Sequence, residues 1–224
     1  MTIEDLPTAV VGLFALDPVL IFGWGFLALW PLYGLIALAR WLKRRAALRE
    51  FAARYELRFR GTLPSDKYAP YTAFGIVRSA VLLHLVMEGR WNDFDVALFD
   101  YRRSRRRASY FGVIVALPND GTCFHIAAPA FWPPAAPWQT RVTLAASGLA
   151  SWVVVSEPIP GSAAAAMGPR TAALLRDGPP VSLETNLGYL FVTPMPRVTP
   201  DRVPDFLDFA TSVARALGTD AHKR

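Results

Sequence analysis

Cys123 and His125 lie two residues apart in an apolar stretch, so on an extended strand they share a face. A thiol beside an imidazole can form an activated nucleophile or supply two ligands to a metal ion. A zinc site needs at least a third ligand, and the sequence has no CxxC or HxxxH spacing to supply one. The pair reads as a half-buried thiol beside a hydrogen-bonded histidine. His84 and Glu88 fall on one strand face by the same alternation. Asp93, Asp95 and Asp100 flank a hairpin, and Asp93 and Asp95 share a face where two carboxylates could divide acid–base work. Without a polar cleft around them they read as turn and solvent-facing residues. Glu88 can also pair with Arg90. No catalytic residue, metal ligand or cofactor is assigned on this basis.

Two other features suit binding better than catalysis. Arg102, Arg103, Arg105, Arg106 and Arg107 form a basic tip between two strand-like runs. Such a tip is either solvated or in contact with anionic lipid, an acidic partner or RNA. Single-stranded nucleic acid is gripped by aromatics interleaved with bases. Here Tyr101 and Tyr110 only flank the cluster, so nucleic acid is not an expected partner. Phe131 and Trp132 stand beside Pro133 and Pro134. Aromatics exposed among prolines can anchor a partner protein, or they can fold back over a sheet edge.

The elements that position these residues begin with charge. Residues 1–39 carry three acids and no base, and residues 40–60 carry eight bases and two acids. The five arginines at 102–107 are the second basic cluster, residues 61–101 are net acidic by two, and the whole chain carries a net charge of +6. A basic balance held in two clusters does not mark a nucleic-acid-binding surface. The run 18–39 has no charge and is long enough, at about 1.5 Å per residue, to cross a bilayer as a helix. Residues 1–17 are then an extracytoplasmic segment, although 6–16 are apolar too. Pro31 is expected to kink the helix. Arg40, Lys43, Arg44 and Arg45 flank its end, with Trp41 at the interface, and Glu4 and Asp5 lie on the other side. The positive-inside rule directs the C-terminal part to the cytosol. This implies a single-pass inner-membrane protein whose bases meet anionic headgroups. Cleavage after Ala37-Leu38-Ala39 is not expected, because a signal peptide needs a basic start and a shorter core. A basic juxtamembrane helix over 40–60, with Leu48, Phe51, Ala52 and Tyr55 at helical spacing, is expected to dock on the following domain.

From about residue 80 the apolar period becomes two. Strands are expected at 81–88, 94–101, 109–117 and 122–128, with weaker ones at 141–146 and 151–157. Asn92-Asp93 and Pro118-Asn119-Asp120-Gly121 supply turns. Residues 129–138, with four prolines, cannot form a central strand. Gly161–Met167 reads as loop and Pro169–Arg176 as a short helix. Residues 181–185 and 189–193 form a hairpin around Asn186-Leu187-Gly188. The last helix starts at Thr199-Pro200 and carries Val203, Phe206, Leu207, Ala210, Val213, Ala214 and Leu217 on one face, with Gly218 as its stop. Six to eight antiparallel strands with packed helices make an α+β domain over 61–218, followed by a tail at 219–224. No GxGxxG or GxxxxGK[ST] motif is present.

Tyr55-Glu56-Leu57-Arg58-Phe59, Met87-Glu88-Gly89-Arg90-Trp91 and Ala97-Leu98-Phe99-Asp100-Tyr101 resemble segments of a broad group of bacterial single-pass membrane proteins with a cytosolic α+β domain. The resemblance covers roughly residues 40–120. It implies topology and class and brings no activity with it. The expectation is therefore a membrane-anchored binding module with an unidentified protein partner. A hydrolase-like enzyme using a Cys/His or carboxylate site is the alternative.

Overall fold

The computed structural model describes residues 18–64, 71–74, 82–101, 110–118, 123–129, 142–144, 148–195 and 197–221. The chain divides into two units, Met1–Ala47 and Leu48–Arg224.

Helix α1 (Pro18–Arg54) runs without a break through Pro31 and supplies all the described structure of the first unit. Its side chains from Leu29 to Leu42 include a run of exposed apolar residues, among them Leu29, Trp30, Tyr33, Leu35 and Leu38. The Arg45 guanidinium lies 5.3 Å from the Trp41 ring centroid. Among the described residues, no helix is long and apolar enough to cross a membrane. The expected spanning segment at 18–39 is therefore not supported by the structure.

In the second unit, Leu48, Phe51 and Ala52 of the last turns of α1 are buried in the core of the domain, as their spacing predicts. Tyr55 stays half in solvent, its ring 4.9 Å from that of Trp91. The helix stops at Arg54 rather than at residue 60. Glu56 takes a left-handed φ of 57°, and Leu57 N–H donates to the Ala52 carbonyl at 2.8 Å, which closes the helix end.

The chain then enters β1 (Arg58–Pro64), a strand the basic run concealed. Eight more follow: β2 (Leu82–Trp91), β3 (Phe94–Tyr101), β4 (Tyr110–Ala116), β5 (Phe124–Ala127), β6 (Val142–Leu144), β7 (Leu149–Ser156), β8 (Val181–Asn186) and β9 (Tyr189–Pro194). Among the described residues they form one antiparallel sheet of nine strands in the order β1-β2-β3-β4-β9-β8-β5-β7-β6. The β8–β9 hairpin is inserted between β4 and β5, so these sequence neighbours are not sheet neighbours. Two hairpins close by two-residue turns with positive φ at both positions, Asn92-Asp93 (47° and 71°) and Leu187-Gly188 (48° and 76°). That geometry matches the twist of the paired strands.

Three more helices are α2 (Ser162–Ala166), α3 (Pro169–Asp177) and α4 (Val203–Ala221). The segment 161–167, expected as loop, is helical because four alanines favour a turn there. Glu157 also accepts hydrogen bonds from the Gly161 and Ala163 amides at 2.9 and 3.0 Å. These bonds hold the Glu157 carboxyl below its usual range. The apolar stripe of α4 is buried as expected. Gly218, however, does not end the helix. A Cβ at that position would stand 3.1 Å from Pro118 Cγ, so the glycine marks a close approach of the β4–β5 connection.

The sheet is apolar on both sides. One face packs on α1, α2, α3 and α4 through residues such as Leu98, Val113, Val192, Phe206 and Leu207. The other carries an aromatic cluster of Tyr71, Phe74, Phe99, Tyr101 and Phe191. On the helix face, Asp100 is 2% exposed and its carboxylate is bridged by Arg197 through both Nε and Nη2. This ties β3 to the segment that leads from β9 into α4. Removing one partner leaves a buried charge uncompensated. Arg197→Ala is expected to lower stability by about 3 kcal/mol, the low end of the buried-pair range because the guanidinium reaches solvent. Urea denaturation of the full chain measures this, and the paired Asp100→Leu/Arg197→Met variant should recover most of the loss.

Candidate functional site

The aromatic face of the sheet is ordered by one continuous rung. In register, Glu88 pairs with Ala97, Ala97 with Ile114, Ile114 with Phe191, Phe191 with Glu184, Glu184 with His125 and His125 with Ser156. Residues paired in antiparallel register share a face. The rung therefore carries polar side chains toward both ends and apolar ones between.

At the first end, Tyr71 is fully buried, its ring edge-on to Phe99 with centroids 5.3 Å apart. Its hydroxyl donates to Glu88 Oε1 at 2.8 Å, and Arg60 Nε donates to Glu88 Oε2 at 3.0 Å. Burial, and then the bond to Glu88, push the Tyr71 phenol far above its ordinary range. Glu88 thus pairs with Tyr71 and Arg60 rather than with Arg90. Arg90 instead donates to the Asp93 carbonyl at 3.2 Å and faces Asp95 at 3.8 Å.

Beyond this cluster the aromatic layer runs out. On β3 the residues of this face pass from Tyr101 and Phe99 to Ala97 and Asp95, and on β4 from Ile114 to Ala116. The small side chains leave an open groove of about 410 Å³. Ala97, Ile114 and Ala116 form its floor, Tyr189 one wall, and Glu88, Arg90 and Asp95 its polar rim. The side chains of Arg90 and Asp95 are 72% and 79% exposed. Sequence reasoning named Asp95 but missed Tyr189, Ala97 and Ala116. The available signal was the alanine between Asp95 and Phe99, where strand alternation calls for a larger residue.

His84 and Glu88 do not share a face. Leu85 takes a φ of 54° and breaks the register, so His84 pairs with Asp100 and Glu88 with Ala97. Asp100 and Ala97 point to opposite sides of β3, and the bulge reverses the expected placement. His84 Nδ1 instead lies 3.4 Å from Thr62 Oγ1. Cys123 precedes β5. Its half-buried thiol donates to Asn186 Oδ1 at 3.1 Å, and Asn186 Nδ2 donates to the Ala73 carbonyl at 2.6 Å. His125 is 7% exposed, with Nε2 2.8 Å from Ser182 Oγ. The thiol and the imidazole therefore each have a partner of their own. Asp93 lies in the hairpin turn and Asp95 on the groove rim. Among the described residues, no group of three His, Cys, Asp or Glu side chains is placed to hold a metal. Arg102, Arg103, Arg105, Arg106, Arg107, Phe131 and Trp132 lie outside the described residues.

No family model matches the chain, and no curated protein does. Among solved structures, it is similar to the crystal structure of the mycobacterial trehalose monomycolate transport factor A, TtfA. The TM-score is 0.50 at 11% identity, over 80% of this chain and 92% of the other. The likeness is one of fold.

Tyr71→Phe removes a hydrogen bond from a buried phenol to the half-buried Glu88 carboxylate and is expected to cost about 1.5 kcal/mol, the low end for a bond to a charged group. A phenol whose folded pKa is raised keeps its stabilising effect below the free phenol's pKa of about 10 and loses it as pH rises above that. The variant should therefore lose stability more gradually above that pH than wild type does. Thermal melts between neutral and strongly alkaline pH check both points.

Proposed function

We propose that this protein is a membrane-anchored binding module. The uncharged run 18–39 anchors it, Arg40, Lys43, Arg44 and Arg45 lie at anionic headgroups, and the domain faces the cytosol and engages another protein. The observation that carries the binding half of this reading is the groove at Ala97, Ile114 and Ala116, with its exposed rim of both charge signs. Its apolar floor and single aromatic wall suit a partner side chain seated on Ala97 and Ala116, beside the exposed Arg90–Asp95 pair. Elsewhere acids with side-chain partners serve the fold: Glu88 holds Tyr71, Asp100 holds Arg197, and Asp208 accepts from Trp91 Nε1 and Asn92 Nδ2, both at 2.7 Å.

The anchoring half rests on the exposed apolar residues of α1 ahead of its basic cluster, a pattern that lipid covers and that the positive-inside rule orients. The Arg102–Arg107 tip and the Phe131-Trp132 segment are further contacts in this reading, with headgroups and with protein.

One observation favours a second reading, a hydrolase-like enzyme. Ser182 Oγ and His125 Nε2 stand at the distance of a nucleophile and its base, with Glu184 opposite His125 in register. A fluorophosphonate probe separates the two. The binding reading expects no adduct on Ser182, and labelling that disappears in His125→Ala would favour the enzyme.

The binding reading is tested by cross-linked capture of the tagged full chain from its native membrane. Wild type is compared with Arg90→Glu/Asp95→Arg and with a variant whose five tip arginines are serine. One protein recovered in near-equal amount, and reduced at least about tenfold by the groove variant, is the expected result, the scale of an interface hot spot. Equal recovery with wild type and both variants would contradict the assigned contacts.

A further inference from the structure

Two hairpins close at the same end of the sheet and frame the groove. Val96 pairs with Val115 and Ala116 with Tyr189, so the Asn92-Asp93 turn and the Leu187-Gly188 turn stand on either side of it. The first follows Arg90 of the rim, and the second precedes Tyr189 of the wall. Both turns need left-handed backbone at two positions. The first meets that need with residues that tolerate it, and the fold uses the Asn92 side chain, whose Nδ2 donates to Asp208 Oδ1 at 2.7 Å. The second places a leucine there. Leu187 has a φ of 48° and is 70% exposed.

A bulky residue is strained in left-handed backbone, where asparagine or glycine is accommodated. The fold draws on the neighbours of Leu187. Asn186 accepts from the Cys123 thiol and donates to the Ala73 carbonyl, and the Gly188 carbonyl accepts from Leu117 N–H at 2.7 Å. These bonds fix the tip, two residues from the groove wall, while the Leu187 side chain stands mostly in solvent. A large apolar side chain held out at a conformational cost, beside an open groove, points to a contact outside the chain. The neighbouring charges decide its kind. Arg90 and Asp95 are exposed, opposite in sign and 3.8 Å apart. An anionic bilayer surface is drawn to the first and repelled by the second, and even a whole myristoyl chain binds a bilayer only marginally. A protein surface can offer an apolar socket and charges of both signs together.

We propose that Leu187 is an anchor of the protein contact made at the groove. It inserts into an apolar socket on the partner, while a partner side chain seats on Ala97 and Ala116. The proposal rests on the binding reading of the groove. The test places the photoreactive residue p-benzoylphenylalanine at position 187 and, separately, at position 189, in cells that express the full chain. Both positions should cross-link to the same protein. Leu187→Asn should lower the cross-link yield at position 189 by at least about tenfold, the scale of one buried leucine. The same substitution should raise the melting temperature of the full chain in non-ionic detergent by about 2–4 °C, because it relieves the left-handed strain. A weaker contact on a more stable fold is a combination that a merely structural leucine does not give. A yield at 189 that Leu187→Asn leaves unchanged and Arg90→Glu/Asp95→Arg abolishes would overturn the proposal and leave the groove reading standing. The absence of a protein adduct at 189 would overturn both. A lipid adduct at 187, or a lower melting temperature in Leu187→Asn, would overturn the anchor alone.

Discussion

The ladder between β4 and β9 is the constraint on which the rest of the structure depends. Strands β1 to β4 form one meander and β5 to β9 the other group. Within the sheet the two are joined through four register pairs, from Val113↔Val192 to Ala116↔Tyr189. Each side of this seam is apolar. Val113, Val115, Leu190 and Val192 are buried toward the helices, and Ile114 and Phe191 toward the aromatic cluster. Both cores therefore run across the seam, and neither half has a closed core without the other. Gly112 is part of the same fit, since a Cβ there would stand 2.5 Å from Phe191 Cε2.

The groove inherits this dependence. Its floor comes from β3 and β4, and its wall, Tyr189, from β9. A carboxylate on a sheet face beside an apolar cluster needs partners, and Tyr71 and Arg60 supply them to Glu88. The groove is thus bounded by a polar cluster already satisfied within the fold, and its rim carries the solvent-exposed Arg90–Asp95 pair. Local pairing elsewhere follows the same logic. The β2–β3 turn is clamped to α4 because Asp208 accepts from Trp91 and Asn92, while Arg215 donates to the Asn92 carbonyl and covers the Phe94 ring.

Much of this was legible in the sequence where a periodic pattern met a turn signal. Phe94–Tyr101 alternates cleanly after Asn92-Asp93, and its bounds match β3. The α4 stripe and the hairpin at Leu187-Gly188 were equally plain. What escaped has a common cause: single non-glycine residues in left-handed backbone carry no compositional mark. Glu56 ends α1 in this way and lets β1 (Arg58–Pro64) begin inside what reads as a basic helix over 40–60. Leu85 reverses a face in the same way and separates His84 from Glu88. Gly218 misled in the opposite sense, as a stop signal that serves instead as a contact with Pro118. The order of strands was not readable locally, because the placing of β8–β9 between β4 and β5 is decided by which apolar edges are left to pair. The groove was hidden for a related reason, since its floor is defined by the absence of large side chains at Ala97 and Ala116.

Amide hydrogen exchange on the full chain, comparing wild type with Phe191→Ala, tests the seam most directly. If β4–β9 holds the two halves as one cooperative unit, protection should fall together in β2, β3, β5 and β8, by a similar factor in each. Loss confined to β5, β8 and β9, with β2 and β3 as protected as in wild type, would show two independently stable halves and contradict the account.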